Sequence, residues 1–424
     1  MRKASHAEKV QNLRTALYER AKREPALRFY SLYDKVYRRD VLAHAFALCR
    51  ANKGAAGPDG ITFEDIEQGG GPEAMLAQLA EELKTKRYTP GAVRRVYIPK
   101  ANGGERPLGI PDIRDRVVAM ALKLVLEPIY EAEFDCDSYG FRPGRDAHQA
   151  LMAIREGIAD GMLWLIDADV SKCFDTIPHD KLLKTVASRV VDGSMLALIR
   201  KFLKAPVCDE RDGGRRMRPR AGTPQGGPAS PLLANIYLHL LDRNFRKGVE
   251  RGDLQGRLVR YCDDFMVVCP RRPEREMTWL TSLMKRLGLT LHPEKTRVVH
   301  ISDEWVNFLG YKVHRRRHGY IAFDIADKAM DRIRDRLRVI TRQTYLSLEE
   351  LIAELNEYIR GASGYYRKAV PRTLWKLNRF TLARIARWAR QKRAHRRPEW
   401  SLARGEPLYR EHGLASWWYP KEPA

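Results

Sequence analysis

The spacing of apolar residues changes period along the chain, and each change marks a new predicted element. Short apolar runs divided by turns begin at Val93 and predict strands, whereas the helical spacing of Ile113–Tyr130 predicts a helix. Further on, LWLIDADVS predicts a strand, HDKLLKTVASRV and PASPLLANIYLHLLDRNF predict helices, and RLVRYCDDFMVVC predicts a β-hairpin. Arg-rich segments from Ile325 to Arg393 predict long helices. The pattern indicates an α+β core with basic helical segments on both sides.

Charge narrows the class of partner. The 424 residues include 77 Lys and Arg against 53 Asp and Glu, a formal net charge of +24, which indicates a polyanionic partner. The longest uncharged stretch, Ala221–Leu241, contains Pro, Gly, Gln, Asn and His, so it does not predict a membrane span. Nucleic acid is therefore favoured over a membrane. Six scattered cysteines and the lack of an apolar signal segment in the first ten residues predict a cytoplasmic protein.

Two adjacent acids, Asp263 and Asp264, interrupt the apolar hairpin RYCDDFMVV. A third acid, Asp169, ends the apolar run LWLIDAD, so three carboxylates converge if the two strands are neighbours in one sheet. A single Asp at a hairpin is usually a solvated turn residue, but clustered acids beside apolar strands need cations. Oxygen ligands favour Mg²⁺, and two such ions suit phosphoryl transfer on a polyanionic substrate.

The ordered motifs of the chain resemble those of bacterial group II intron-encoded proteins, in which a reverse transcriptase is joined to a maturase. The resemblance runs from about Gly54 to Val313. Eight blocks occur in the family's order: GAAGPDGIT, IPKANGGERPLGIPDIRDRVV, DSYGFRPGRDAHQAL, DADVSKCFDTIPHDKL, GTPQGGPASPLLANIYL, RYCDDFMVV, LHPEKTRV and FLGYKV. One Y-x-D-D motif is weak support for a family, whereas eight ordered blocks are strong support.

The resemblance implies roles for individual residues. It implies that two Mg²⁺ ions, with Mn²⁺ as a possible substitute, are held by the three Asp side chains and the Val170 carbonyl. Nucleotide contacts are implied for residues of the fingers, the TPQG loop and the PEKT segment, and Phe174 would select deoxyribose by excluding a 2′-hydroxyl. Primer or template contacts are implied for Tyr261 and the FLGY segment. These nucleotide and primer positions are Lys100, Arg106, Phe174, Gln225, Lys295, Tyr261, Phe308, Leu309, Gly310 and Tyr311.

Two cysteines depart from the usual pattern of the family. Cys173 stands where many members have a second aromatic residue, and Cys262 fills the variable position of Y-x-D-D. A thiol there has the size of the usual small apolar residue. Its place beside the metal ligands also suggests sensitivity to oxidation.

The C-terminal part, with LEELIAELNEYIRGASGYYRKAV, resembles the maturase domain. Tyrosine rings beside cations suit RNA contacts, and a solvated helix face is the alternative explanation. The implied RNA-binding residues are Arg360, Tyr365, Tyr366 and Arg367. Because no Cys/His-rich module follows, we expect the compact type that lacks an endonuclease domain.

The resemblance implies a right-hand polymerase with fingers, palm and a helical thumb. We expect an N-terminal extension and block over residues 1–70, fingers and palm over 71–318, thumb and maturase over 319–395, and a basic tail over 396–424. The expected activity is transfer of dNTPs to a primer 3′-hydroxyl on an RNA template, with binding of the parent intron RNA for splicing and retrohoming. A domesticated relative in host defence or repair, and a splicing-only RNA-binding protein, are the alternatives. Expected partners are intron RNA, an RNA template with DNA primer, dNTPs and target DNA, without a membrane. We expect a monomer or homodimer associated with the nucleoid or a ribonucleoprotein.

Overall fold

Two compact units make up the computed structural model, which describes residues 5–99, 104–213, 215–224, 226–392 and 406–418. The first unit comprises Met1–Gly157 and Ile166–Val298, and the second comprises Ile158–Leu165 and Val299–Ala424. The mixture of helices and sheets confirms the predicted α+β class at the level of secondary structure.

The helices and strands number as follows along the chain. The helices are α1 His6–Arg23, α2 Tyr33–Val36, α3 Arg39–Ala51, α4 Phe63–Gln68, α5 Pro72–Lys84, α6 Ile113–Glu131, α7 Ala147–Ala159, α8 Cys173–Thr176, α9 His179–Ala187, α10 Gly193–Leu203, α11 Ser230–Glu250, α12 Glu274–Leu287, α13 Asp327–Ile340, α14 Leu348–Tyr365, α15 Pro371–Lys392 and α16 Glu406–Arg410. The strands are β1 Val93–Pro99, β2 Glu105–Ile110, β3 Trp164–Asp169, β4 Val207–Asp209, β5 Arg216–Met217, β6 Arg257–Tyr261, β7 Asp264–Cys269, β8 Arg297–His300, β9 Val306–Phe308, β10 Tyr311–Arg315 and β11 Ile321–Ile325.

A buried helix, α6, organises the N-terminal part of the first unit. Most of its positions are apolar on every side, and α1 and α3 pack against it. One of its two buried acids, Asp115, accepts a hydrogen bond from the Tyr88 hydroxyl at 2.6 Å, which satisfies the carboxylate inside the core. Helix α1 begins with a capping box in which Ser5 and Glu8 bind each other's backbone amides.

Two sheets of four strands carry the motif segments. One has the order β2-β1-β4-β5 and the other has the order β6-β7-β3-β8. Strands β6 and β7 form the predicted antiparallel hairpin, with Tyr261 paired to Asp264 across the turn. Strand β3, which ends at Asp169, lies directly beside β7. The condition under which the sequence predicts that the three carboxylates converge, that the two strands are neighbours in one sheet, is therefore met.

The second unit contains a three-stranded antiparallel sheet in the order β11-β10-β9 and the amphipathic helices α13, α14 and α15. Helix α14 begins with a capping box made by Ser347 and Glu350. Strands β10 and β11 pair with each other, so the expected domain boundary at residue 318 falls in the turn of one hairpin. None of the helices described is both long and apolar enough to cross a membrane.

Candidate active site and nucleic-acid interface

The turn between β6 and β7 presents the two adjacent acids. Cys262 and Asp263 connect the strands, and Cys262 has a φ of 59°, a left-handed conformation that is uncommon outside glycine. Desolvation by the surrounding protein is the largest cause that raises the pKa of Asp264, and repulsion from Asp263 and Asp169 adds to it, so that the pKa is about 7. Part of the Asp264 residue is nevertheless exposed to solvent at the turn. Partial burial and repulsion from Asp169 also raise the pKa of Asp263. The three carboxylates therefore share one electrostatic environment, in which a cation is needed to keep all of them ionised.

Cations of the protein already act on these acids. The Lys295 ammonium donates to Asp169 Oδ2 at 2.5 Å, and the positive charge of Arg106 offsets part of the rise in the pKa of Asp263. Lys295 remains mostly exposed, so this ion pair faces solvent. The position of its Nζ atom shows where positive charge is stabilised beside Asp169. Carboxylate oxygens on adjacent strands that attract a cation suit a divalent ion such as Mg²⁺.

A second acidic group has a different arrangement. Within the described residues, ligand atoms of Asp135, Cys136 and Asp137 lie within 4.8 Å of one another, closer than those of the three predicted acids. Arginines already hold this group: Arg246 pairs with Asp135 and Arg257 pairs with Asp137, each at 2.6 Å. Its negative charge is thus neutralised by protein, and it does not require a metal.

Beneath the turn lies a fully buried ion pair between Arg260 and Asp242. The Arg260 guanidinium donates to both Asp242 oxygens at 2.7 and 2.6 Å. Its Nη1 also donates to Asn235 Oδ1 at 2.8 Å and to the Cys262 carbonyl at 3.0 Å. Asn235 in turn donates to the Gly140 carbonyl at 2.7 Å. The network ties the β6–β7 turn to helix α11 and to the segment before α7.

The close packing of Gly140 against the turn explains why this residue lacks a side chain. A Cβ at this position would lie 2.5 Å from the Cys262 amide nitrogen and 2.8 Å from the Tyr261 carbonyl carbon. Cys262 itself is 1% exposed, and burial raises the pKa of its thiol to about 12. A buried thiol in its neutral form reacts slowly with oxidants, which argues against the oxidation sensitivity expected from the sequence.

The GTPQGG loop packs on both α8 and β2. Phe174 is 7% exposed, and its carbonyl accepts a hydrogen bond from the Thr223 amide at 2.7 Å. Gly226 has a φ of 112°, and a Cβ there would lie 2.3 Å from the Gly109 carbonyl oxygen. An open cavity of about 290 Å³ adjoins the loop and is lined in part by Arg95, Tyr97, Lys172, Asp175 and Thr223.

Not every predicted residue can be placed. Lys100 and Gln225 lie outside the described residues. Val170 is buried directly after β3, Tyr261 is half-buried at the end of β6, and Arg106 is exposed on β2. The predicted metal, nucleotide and primer roles of these residues stay predictions.

The FLGY segment in the second unit is a turn whose side chains are mostly buried. Phe308 and Tyr311 are 4% and 0% exposed, so the accessible part of the segment is the turn at Leu309 and Gly310. Tyr365 donates its hydroxyl to the Leu309 carbonyl at 2.8 Å, and the buried Tyr366 ring packs against Tyr311. These two tyrosines support the turn. Arg360 and Arg367 are exposed, and RNA binding by the four residues stays a prediction.

Sequence reasoning missed Arg260, Asp242, Asn235 and Gly140. Arg260 could have been noticed as an arginine next to YCDD in a largely apolar hairpin, and Asn235 and Asp242 as polar residues seven positions apart on one largely apolar helix, whereas nothing in the sequence marked Gly140. An unpaired charge in such an element requires a buried partner.

Comparisons with known proteins agree with the geometry. Residues 98–313 match the family described as reverse transcriptase (RNA-dependent DNA polymerase), and residues 330–405 match the group II intron maturase-specific domain. Protein YkfC of Escherichia coli is 33% identical over 70% of this chain and 86% of its own length. Group II intron-encoded protein LtrA of Lactococcus lactis is 32% identical over 69% of this chain and 58% of its own length. An uncharacterized 91 kDa protein in the cob intron of Schizosaccharomyces pombe is 30% identical over 86% of this chain and 54% of its own length.

The chain thus spans little more than half the length of the latter two relatives. The reverse transcriptase match covers half of the chain and contains the β6–β7 turn, and the maturase match follows it along the chain. The chain belongs to the group II intron reverse transcriptase and maturase family.

Proposed function

We propose that this protein is an RNA-directed DNA polymerase that adds dNTPs to a primer 3′-hydroxyl on an RNA template. The observation that carries the proposal is the placement of Asp169 and the Asp263–Asp264 turn on adjacent strands, where the charge of Asp169 raises the pKa of both Asp263 and Asp264. Such a group is suited to binding the divalent cations that reverse transcriptases generally use.

Each proposed ligand has a defined part in the reaction. Asp169, Asp263, Asp264 and the Val170 carbonyl would hold two Mg²⁺ ions, or Mn²⁺ in their place. When bound, the metals activate the attacking hydroxyl and stabilise the leaving oxygen. The strands β3 and β7 fix the carboxylates, and the Arg260 network fixes the turn that carries two of them.

The remaining residues of the site orient the substrates. Lys100, Arg106 and Lys295 would neutralise the triphosphate, since a Lys point charge and an Arg fork both bind phosphate oxygens. Gln225 would approach the nucleotide, and Tyr261 and the FLGY turn would contact the primer or template. Phe174 would lie beneath the sugar and exclude a 2′-hydroxyl, which selects dNTPs.

We further propose a right-hand arrangement. Residues 1–70 would form the N-terminal extension and first block, 71–318 the fingers and palm, 319–395 the thumb and maturase domain, and 396–424 a basic tail.

Binding of a group II intron RNA, with assistance to splicing and retrohoming into target DNA, is the second activity we propose. It is supported by the maturase match and by cations on α15, where the exposed Trp375 ring stacks with Arg379 at 4.9 Å. Arg360, Arg367 and the neighbouring Tyr365 and Tyr366 would contribute to this surface. We propose that the protein acts as a monomer or homodimer in the bacterial cytoplasm, on a nucleoid or ribonucleoprotein.

The polymerase activity is tested by extension of a DNA primer on an RNA template with Mg²⁺ and dNTPs. We expect extension by the parent protein and none by Asp263→Ala. Asp303→Ala is the matched control, because this acid is highly exposed and lies in the second unit. Loss of extension in both variants, or in neither, would contradict the assignment of the catalytic acids.

The RNA-binding activity is tested by measuring the affinity for the intron RNA across a series of salt concentrations. Neutralising phosphates with Lys and Arg releases counterions, so the affinity should fall steeply as salt rises. A flat salt response, or splicing that is no faster with the protein than without it, would oppose a maturase role.

A further inference from the structure

Phe141 combines two features that are unusual for a large apolar residue. Its side chain is 58% exposed, and its backbone has a φ of 56° in the left-handed region. That conformation is disfavoured for bulky side chains and is best adopted by Gly or Asn. An exposed ring contributes little to the core, so folding alone does not account for Phe at this position.

The next residue, Arg142, holds this conformation in place. Its side chain is 7% exposed and pairs with Glu131, with Nη2 and Oε1 2.6 Å apart. It also donates to the Ser138 carbonyl at 2.6 Å and to the Asp135 carbonyl. The backbone that precedes Phe141 is therefore bound to the buried guanidinium of the residue that follows it, and the exposed ring projects from a turn held by these bonds.

The preceding residue, Gly140, places the turn against the catalytic hairpin. A Cβ on Gly140 would lie 2.5 Å from the Cys262 nitrogen. The Gly140 carbonyl accepts a hydrogen bond from the Asn235 side chain, and the same side chain accepts one from Arg260. The buried network under Asp263 thus also positions the segment that carries Phe141. The exposed ring belongs to the residue directly after the backbone that touches the β6–β7 turn.

The immediate surroundings suit a nucleic acid. Arg145 lies over the Tyr139 ring at 5.5 Å, which puts a planar cation on the same short segment. Aromatic rings stack on nucleobases with little regard to sequence, and neighbouring cations bind the phosphates. Both interactions serve a polymerase that has to accept any template.

We propose that the Phe141 ring stacks on a nucleobase of the bound primer–template close to the reacting end. This inference rests on the proposed polymerase function and deepens it, because it assigns a substrate contact that lies outside the carboxylates and the FLGY turn. The strain at Phe141 is maintained because Gly or Asn would relieve it only by removing the ring.

The test measures the dissociation constant of a primer–template for Phe141→Ala, Phe141→Asn and Phe141→Trp. Loss of one stacked base corresponds to a roughly 5- to 150-fold weaker complex, so we expect Ala and Asn to weaken binding by at least about fivefold and Trp to retain it. Asn should keep or raise the melting temperature, because it tolerates the left-handed backbone. Tyr30→Ala is the matched control, since Tyr30 is a 75% exposed aromatic residue of the same unit, and it should leave binding unchanged.

Two outcomes would overturn the proposal. One is parental affinity in Phe141→Asn, and the other is equal weakening by Tyr30→Ala. Binding is measured without dNTPs, so a protein that binds the duplex through Phe141 but extends no primer would contradict the polymerase proposal alone.

Abasic nucleotides identify the strand. A missing base is placed in turn at each of the last three primer positions and at each opposing template position, and the parent is compared with Phe141→Ala. The difference between the two proteins should vanish when the abasic nucleotide is in the contacted strand. A difference that persists at all six positions would refute stacking on a nucleobase.

Discussion

Replacing Arg260 by Met should destabilise the protein far more than replacing a similar arginine on the same strand. Arg260 is 0% exposed and its partner Asp242 is 2% exposed, so the variant leaves a buried carboxylate without its counterion. Breaking a buried ion pair from one side costs about 3–5 kcal/mol of the free energy of unfolding. The Asn235 side chain and the Cys262 carbonyl lose a donor as well.

Arg257→Met provides the matched control. Arg257 also makes a bidentate pair, with Asp137, but its side chain is 29% exposed and that of Asp137 is 14% exposed. Because water can solvate the remaining carboxylate, we expect a cost of about 1 kcal/mol. Urea denaturation followed by circular dichroism, with hydrogen exchange of the β6–β7 hairpin, measures both variants.

The cost for Arg260→Met should also depend on pH. Burial alone raises the pKa of Asp242, but Arg260 and His239 hold it below its ordinary value in the parent. Without Arg260 the folded-state pKa rises above the unfolded one, so the carboxyl binds a proton more readily in the folded state. Stability of the variant then falls as pH rises through that folded-state pKa, and the gap to the parent is wider at pH 8 than at pH 5.

Catalysis gives a separate readout of the same network. The Cys262 carbonyl loses its anchor in Arg260→Met, so the left-handed turn should open and kcat for primer extension should fall about tenfold or more at a temperature where the variant is folded. Adding Cys262→Gly should restore part of kcat without restoring stability, because glycine adopts a φ of 59° freely. Equal destabilisation by Arg260→Met and Arg257→Met, or unchanged kcat in a folded Arg260→Met, would refute the reasoning.

Three further changes test other parts of the site and its support. Gly226→Ala should raise KM for dNTPs about tenfold or more, because its Cβ would collide with the Gly109 carbonyl, whereas Gly104→Ala, also at positive φ but in open space, should not. Lys295→Met should raise KM for dNTPs and lower the Mg²⁺ concentration for half-maximal activity, because the ammonium no longer competes at its partner carboxylate; a higher Mg²⁺ requirement would contradict this. Burial raises the pKa of Asp112 to about 6, above its ordinary 3.8, so parental stability should fall between about pH 4 and 6. Asp112→Asn should avoid this fall and melt at a higher temperature above pH 6, and a parallel pH profile would disprove it.

The sequence predicted the parts of this protein that depend on local patterns. The YCDD hairpin follows from apolar residues on both sides of a polar turn, and the end of β3 at Asp169 follows from an apolar run that stops at acids. Helix α6 follows from its apolar period and covers Ile113–Glu131, within one residue of the predicted end. The coarse α+β class and the family followed from the same local blocks.

Contacts between distant segments were beyond the sequence. Arg260 and Asp242 are 18 residues apart, and only the fold shows that their charges neutralise each other in the core. Tyr365 and Tyr366 form a pattern typical of RNA contacts, yet they pack on the FLGY turn, because a pattern of rings and cations does not reveal which side of a helix faces the protein. The need for glycine at position 140 could not be predicted from the sequence either, because it arises from close contact with backbone more than a hundred residues away in the chain.

Backbone conformation connects these observations. Six non-glycine residues of the described chain have positive φ, and four of them lie in separate family-like blocks: Phe141, Lys172, Cys262 and Leu309. Substitution by glycine would relieve the backbone strain at each of these four positions. The side chain found there, or the rigidity of the turn, therefore has a role other than stabilising the fold. At Cys262 the buried Arg260 network maintains the turn that presents Asp263, and at Leu309 the Tyr365 hydroxyl binds the carbonyl. Phe141 differs because its ring is exposed, and this difference is the physical reason to expect it to contact the substrate.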